Sequence, residues 1–303
     1  LGLLCSELAQ AGVDLTELSV GDRTVNEVLR SIATNYRDGT PNGIRVDPNS
    51  GLVWSPTHFT WMDTNHPAGS PREGYPIEIQ ALWIRLLRLL GDEWQSSLDR
   101  AVASLSDLYT LPDEWLADQL IAAPGIPALE AVTDNALRSN GLLAVALGEV
   151  IGEKAQRMVA AAQRHLVVPG GVRSLAPLPV VPPLPVRSRE GELLNNPERP
   201  YRGRYEGDED TQRKPAYHNG TAWVWSLPVF CEAMVRAYEF SPESIVAARS
   251  YLLSLEPLLN EGCLGHLPEV LDGDAPHTQR GCDAQAWSAS EAYRVWKILN
   301  ENE

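Results

Sequence analysis

The segment from Pro76 to Leu90 constrains the fold of this chain more than any other stretch. Proline stands in its first turn and Gly91 follows its last residue, the ordinary punctuation of a helix. Ile77, Ala81, Ile84 and Leu87 fall in one helical row, and Ile79, Leu82, Leu86 and Leu90 fall in a second. Most of such a helix is expected to be buried, and burial on two sides requires other elements packed around it. The approach to this helix has the opposite character. Residues 60–75, TWMDTNHPAGSPREGY, crowd charges, a histidine, prolines and glycines into a short loop. Asp63 sits beside Trp61 and Met62 there, the pattern of a polar pocket lip anchored to a rigid element.

Periodicity and punctuation predict further helices over 1–10, 22–36, 93–105, 112–123, 141–147, 154–165, 221–238, 242–255 and 282–300. Asp22 and Ser241 are the expected caps of two of them. No stretch alternates cleanly enough to mark a long strand. Three irregular regions, 40–72, 173–215 and 262–280, separate the helices. A structureless run as long as the first is either functional or disordered, and its tryptophans and Phe59 argue against disorder. The proline-rich run LAPLPVVPPLPVRS at 175–188 reads as an extended strut lying over the domain.

The expected architecture is one domain over 1–303, a ring of paired antiparallel helices with long loops gathered at one mouth. A full ring of twelve helices needs more chain than 303 residues with loops this long. The opening LGLLCSELAQAG lacks an initiator Met, a basic n-region and a cleavage signature. The expectation is therefore a C-terminal piece of a larger protein, with N-terminal helices missing.

Composition narrows the function classes. A net charge of −15 repels nucleic acid and anionic membranes, although acidity also serves solubility alone. No run approaches the roughly 20 apolar residues of a membrane span. Tryptophan, at nine, outnumbers phenylalanine threefold. Flat indole faces suit sugar rings and also fill helix–helix cores. Cys5, Cys231, Cys263 and Cys282 form no CxxC pair, which favours reduced thiols and a cytoplasmic setting. The histidines at 58, 66, 165, 218, 266 and 277 show no HExxH spacing, and GxGxxG and GxxxxGK are absent. Neither a metal nor a cofactor is expected. Ser70, Ser174 and Ser288 lack the GxSxG elbow of acyl transfer.

Three loops place carboxylate, imidazole or amide groups near a tryptophan and a helix edge: 60–78, 216–225 and 265–288. Glycosidic cleavage needs an acid for the leaving oxygen and a second carboxylate as nucleophile or as base for water. Asp63 and Glu269 are the candidate pair, and only a closed fold brings them together. Each alone is equally an ordinary turn former or cap. Glu78, in the first turn of its helix, is either a carboxylate stabilised by the helix dipole or an acceptor for a substrate hydroxyl. His218 either donates to a sugar hydroxyl or ties down its loop.

Longer segments carry a family resemblance. GLVWSPTHFTWMD at 51–63, SPREGYPIEIQALW at 70–83, DNALRSNGLL at 134–143, YEGDEDTQRKPAYHNGTAWVW at 205–225 and GHLPEVLDGDAPHTQRGCDAQAWS at 265–288 occur in order across most of the chain. Together they resemble the C-terminal glucosidase domain of glycogen debranching enzymes, the amylo-alpha-1,6-glucosidase family. The resemblance implies an all-α (α/α)6 toroid with the active site at one end of the barrel. It implies hydrolysis of the α-1,6 linkage of a glucose stub on glycogen or limit dextrin, with inversion at the anomeric carbon. The Asp of TWMD, Asp63, would be the general acid and the Glu of LPE, Glu269, the general base. Binding residues would fall on Trp61, Arg72, Glu78, Arg138, Asn140, His218, Trp223, Gln285 and Trp287. An apolar shelf of Trp61 and Met62 is expected to desolvate Asp63 and keep it protonated. The sequence departs from the family in two places. It has no match to a GRDT-like pocket segment, and it reads Arg138-Ser139-Asn140 where members often have RPN. The competing functions are another inverting α-glucosidase on the same toroid, acting on trehalose or a small glucoside, and a non-catalytic α-glucan-binding domain.

Overall fold

The computed structural model describes residues 1–64, 71–112 and 115–302. His66, Ser70 and part of the 40–72 loop lie outside the described residues. Among the described residues ten α-helices occur. They are α1 (Gly2–Gln10), α2 (Val25–Asp38), α3 (Ile77–Leu90), α4 (Gln95–Leu108), α5 (Asn140–Ala146), α6 (Gly152–His165), the single turn α7 (Lys214–Tyr217), α8 (Ser226–Ala237), α9 (Pro242–Leu252) and α10 (Ala286–Glu301). Helices α3, α5, α8 and α10 form a row, each packed on the next. Helix α4 backs α3, α6 backs α5 and α8, and α9 backs α8 and α10, while α1 and α2 lie against α3. One continuous apolar core runs through the row.

The first row of the Pro76–Leu90 pattern is wholly buried, with Ile77, Ala81, Ile84 and Leu87 all at 0 % exposure. The second is split. Leu86 and Leu90 are buried, whereas Leu82 is exposed on the outward side of the helix. The most enclosed helix is α8, in which every residue but Arg236 is buried.

The protein is not all-α. Among the described residues twelve strands of two or three residues form four small antiparallel sheets. Strands β1 (Ser19–Val20) and β2 (Arg23–Thr24) make a hairpin, and β3 (Arg45–Val46) pairs with β4 (Val53–Trp54). A three-stranded sheet runs β5 (Gly74–Pro76), β6 (Gln119–Ile121), β7 (Val132–Asp134). A five-stranded sheet has the order β12 (Gln279–Arg280), β11 (Val270–Leu271), β10 (Ala222–Trp223), β9 (Gly171–Arg173), β8 (Val167–Val168). Strands this short leave no period-two signal in a sequence.

The pairings account for several departures from the sequence expectations. Residues 112–123 do not form a helix. Gln119–Ile121 is the central strand of its sheet, and the cross-strand partners on β5 and β7 override the local apolar spacing. The helix expected from Thr221 starts at Ser226, because Ala222 and Trp223 are claimed by β9 and β11. Helix α2 is capped by Thr24 rather than Asp22, in a reciprocal capping box with Glu27. The closing helix begins at Ala286 rather than Cys282. Ser241 caps α9 as expected, accepting from the Ser244 N–H. The proline-rich run is a bent loop rather than an extended strut, bonded through Val180, Val181 and Leu184 to Glu198, Asn135 and Pro197.

Three contacts aim the 55–63 loop. The Gln80 side chain accepts from the Val53 N–H at 2.7 Å and donates to the Val53 carbonyl at 2.9 Å, pinning β4 to α3. Trp83 donates to the Gly51 carbonyl at 3.0 Å. Ser55 and Gly74 exchange backbone bonds of 2.7 and 3.0 Å. Gly74 has φ +128°, and a Cβ there would lie 2.2 Å from the Leu120 carbonyl oxygen. Gly74→Ala is expected to lower stability by about 2–4 kcal/mol, read from the urea unfolding midpoint.

Candidate active site

Beneath the site lies a buried ionic layer. The Arg72 side chain is 2 % exposed and grips both oxygens of Glu78, the Nη2 bond measuring 2.9 Å. Its Nε donates to Asp118 Oδ2 at 2.9 Å. Burial alone would lower the Arg72 pKa, and the charges of Asp118 and Glu78 more than reverse this. Asn140 donates to Asp118 Oδ1 at 2.7 Å and accepts from Trp61 Nε1 at 2.7 Å. Arg138, also buried, lies 3.6 Å from Asp118. It donates to the His218 carbonyl and, at 2.9 Å, to Asn219 Oδ1. Four of the sequence-predicted binding residues, Arg72, Glu78, Arg138 and Asn140, thus form one enclosed network around Asp118.

Above this layer sits an aromatic cluster. Trp61 presents its face or edge to His218, Trp223 and Trp225, with ring centroids 5.0–5.3 Å away, and to Trp287 at 6.5 Å. His218 lies nearly parallel to Trp223, 7° apart at 5.1 Å. Trp225 and Trp287, at the starts of α8 and α10, stack at 5.2 Å. These contacts bring the N-terminal ends of α5, α8 and α10 to one place. Gln285 sits half-buried at the N-cap of α10, its N–H bonded to the Leu267 carbonyl at 2.9 Å.

His218 is fully buried, and neither ring nitrogen has a hydrogen-bond partner among the described residues. Burial, and then the charges of Arg138 and Arg72, push its pKa well below that of an ordinary histidine. It is therefore neutral at physiological pH. Its Nε2 lies 3.9 Å from Asp63 Oδ1.

Glu269 is half-buried and doubly bonded. One oxygen accepts from the Tyr217 hydroxyl, and the other accepts from the Cys282 N–H at 3.0 Å. Burial and the Glu269 contact raise the Tyr217 pKa, so the phenol remains a donor. The Glu269 backbone is fixed by bonds to Cys282 and Val224. Gly281 leaves room for the carboxylate, since a Cβ there would meet Glu269 Oε2 at 2.4 Å.

Asp63 and Glu269 therefore border Tyr217 and His218, two consecutive residues of one turn. The expected apolar shelf over Asp63 is absent. Met62 turns into the core at 0 % exposure, its sulfur 3.6 Å from Asn140 Nδ2, and leaves the Asp63 side chain 71 % exposed. Sequence reading missed Asp118, Tyr217, Trp225 and Asn219. Three of these adjoin predicted residues in YHNG and WVW, a signal that could have been used. Asp118 lay in a segment read as helix and carried none.

The sequence pattern of a family described as amylo-alpha-1,6-glucosidase matches residues 8–180 and 192–294. The chain belongs to the amylo-alpha-1,6-glucosidase family. No curated protein matches its sequence. Among solved structures it is similar to the GH63 mannosylglycerate hydrolase of Thermus thermophilus in complex with glucose. The identity is 17 %, over 74 % of this chain and 48 % of that one, with a TM-score of 0.45. It is also similar to neutral trehalase Nth1 of Saccharomyces cerevisiae, at 12 % identity over 76 % of this chain and 40 % of that one, with a TM-score of 0.44. The chain spans about half the length of these structures or less. No helix among the described residues is long and apolar enough to cross a membrane.

The buried neutral state of His218 has a thermodynamic consequence. Below about pH 6.5 the unfolded chain takes up a proton that the folded state refuses, so stability falls as pH falls. His58 shifts in the same direction, through burial. Urea unfolding between pH 7 and pH 5 is expected to show a slope of up to about 1.4 kcal/mol per pH unit from His218. His218→Gln should remove that part and leave the smaller share of His58.

Proposed function

We propose that this family member is an inverting glycoside hydrolase that cleaves the α-1,6 linkage of a glucose stub on glycogen or limit dextrin. The observation that carries the reading is the pairing of Glu269 with Tyr217 and the approach of Asp63 to His218, which sets both carboxylates at one aromatic-walled site. In this reading the row α3, α5, α8, α10 with its backing helices is part of an (α/α)6 toroid within a single glucosidase domain. The site lies at the mouth where the helices begin.

Asp63 delivers its proton to the glycosidic oxygen as the bond to the anomeric carbon breaks. Glu269 takes a proton from the water that attacks the opposite face. Inversion requires the two carboxyl groups to stand roughly 6.5–9.5 Å apart, with the water between them. Two hydrogen-bond donors hold the Glu269 carboxylate in a fixed orientation. Asp63 is open to solvent in the free protein, where a bound substrate can reach it directly. His218 lies buried behind Asp63, its Nε2 turned toward that carboxylate, and Trp61 and Trp287 offer ring surface to the sugar. Trp223 backs His218, and Gln285 stands at the rim. Arg72, Glu78, Arg138 and Asn140 act from below, by holding Trp61 and the 217–219 turn in place. The proposed setting is the cytoplasm, where the thiols of Cys5 and Cys231 stay reduced.

Two measurements test this. Asp63→Asn and Glu269→Gln should each lower turnover on a singly branched limit dextrin by about 10²–10⁴-fold. Full turnover in either variant removes that residue from its role. In a panel of defined α-glucans and trehalose, the branched dextrin should be the preferred substrate, and NMR of the first product should show β-glucose. Preference for trehalose moves the assignment to a different glucosidase. α-Glucose as first product excludes inversion, and no hydrolysis of any member leaves a binding domain.

A further inference from the structure

A second cleft lies on the far side of the strands that carry the active-site loop. It has a volume of about 690 Å³ and contains neither Asp63 nor Glu269. Its floor is made by Trp54 of β4 with Pro56 just beyond it, and by Tyr75 of β5 with Glu73 just before that strand. Alternation along a strand sends neighbouring side chains to opposite faces. Glu73 and Tyr75 face the cleft, while Arg72 between the loop and β5 enters the ionic layer beneath the active site. The two sites are therefore back to back.

The cleft is preformed. Asp47 is buried, and its carboxylate accepts from the Asn49 N–H, the Ser50 hydroxyl and the Ala128 N–H at 2.7–3.1 Å. This ties the 47–50 turn to the 124–128 loop, the two walls. Trp54 Nε1 donates to the Ala122 carbonyl at 2.9 Å, and the Tyr75 hydroxyl donates to the Ile126 carbonyl at 2.8 Å. The floor is thereby locked to the same loop.

What remains unspent on the rim defines the ligand. The side-chain amides of Asn42 and Asn49 make no hydrogen bond among the described residues, and both are exposed. Glu73 has one oxygen on Thr57, at 3.3 Å, and the other without a hydrogen bond among the described residues. The lining carries Arg45 against the carboxylates of Asp47 and Glu73, so the cleft does not select an anion. Pro56, Pro124 and Pro127 add flat apolar surface. Amide donors and acceptors, a carboxylate oxygen and rigid apolar walls suit a neutral polyhydroxylated ligand, and the volume lies within the range of small-molecule sites.

We infer that this cleft is an accessory binding site for a short linear α-glucan, the class of chain that flanks the linkage proposed above for cleavage. The choice of α-glucan rests on that proposed function; the cleft and its rim do not. Such a site would hold the polymer on the enzyme while its branch stubs are trimmed elsewhere on the surface.

The test is hydrogen exchange of the full chain with and without maltoheptaose, a linear α-1,4 chain. Protection is expected in peptides covering 42–50 and 123–128. In the Asn42→Ala/Asn49→Ala variant that protection should disappear, with maltoheptaose affinity at the cleft reduced about tenfold. The melting temperature and the hydrolysis of a short α-1,6 glucoside should stay unchanged. Absence of protection at 42–50 and 123–128 in the parent chain overturns the inference, as does protection that persists in the variant. Exchange at 217–225 and hydrolysis report separately on the active site. A chain that hydrolyses nothing yet protects its cleft sinks the proposed function and keeps this site.

Discussion

The carboxylate of Asp118, fully enclosed, accepts from Arg72 on one oxygen and from Asn140 on the other, with Arg138 close by. The loop bearing Asp63 and the 217–218 turn are each referenced to it within two steps. Arg72 reaches Thr60, and Asn140 holds Trp61, so the loop bearing Asp63 is placed from below. Arg138 holds the His218 carbonyl, so the turn bearing Tyr217, and through it Glu269, is placed from the same point. Buried charges are costly unless paired and hydrogen-bonded. Here two guanidinium groups meet the carboxylates of Glu78 and Asp118, and Arg138 Nε stays within 3.6 Å of Asp118 without a hydrogen bond among the described residues. Apolar residues of equal volume could fill the space, but they would not fix the direction in which Trp61 and the 217–219 turn face.

The short sheets complete that arrangement. Strand β10 carries Trp223 and pairs with β11, which begins one residue after Glu269. Strand β5 carries the chain from Arg72 into α3 and pairs with β6, which begins one residue after Asp118. In each case a strand of two or three residues sets the register between a helix start and a functional side chain. Two glycines make the close approaches possible. Gly74 lets β5 lie against the Leu120 carbonyl, and Gly281 leaves space for Glu269. The same strands divide the active site from the cleft behind it, so one piece of framework shapes both.

The sequence by itself determined the helices with strong apolar rows, above all α3, and the cap of α9. It also determined the ordered segments that mark the family, and the set of aromatic and titratable residues that gather at one site. Trp61, His218, Trp223, Trp287, Asp63 and Glu269 were all legible as candidates, because each sits in a conspicuous polar and aromatic loop. Their roles were not separable from local pattern. Glu78 reads the same in sequence whether it meets a sugar or Arg72, and only the fold, by burying Arg72 between Glu78 and Asp118, closed it inside. Met62 was read as cover for Asp63, yet its side chain points the other way, since side-chain direction depends on the turn geometry and not on the neighbouring residue type. The strands, Asp118 and the back-to-back cleft belonged wholly to the tertiary structure. Pairings of two or three residues, and contacts between residues far apart in sequence, leave no periodicity to read. They exist because the folded core brings those backbones within hydrogen-bond reach.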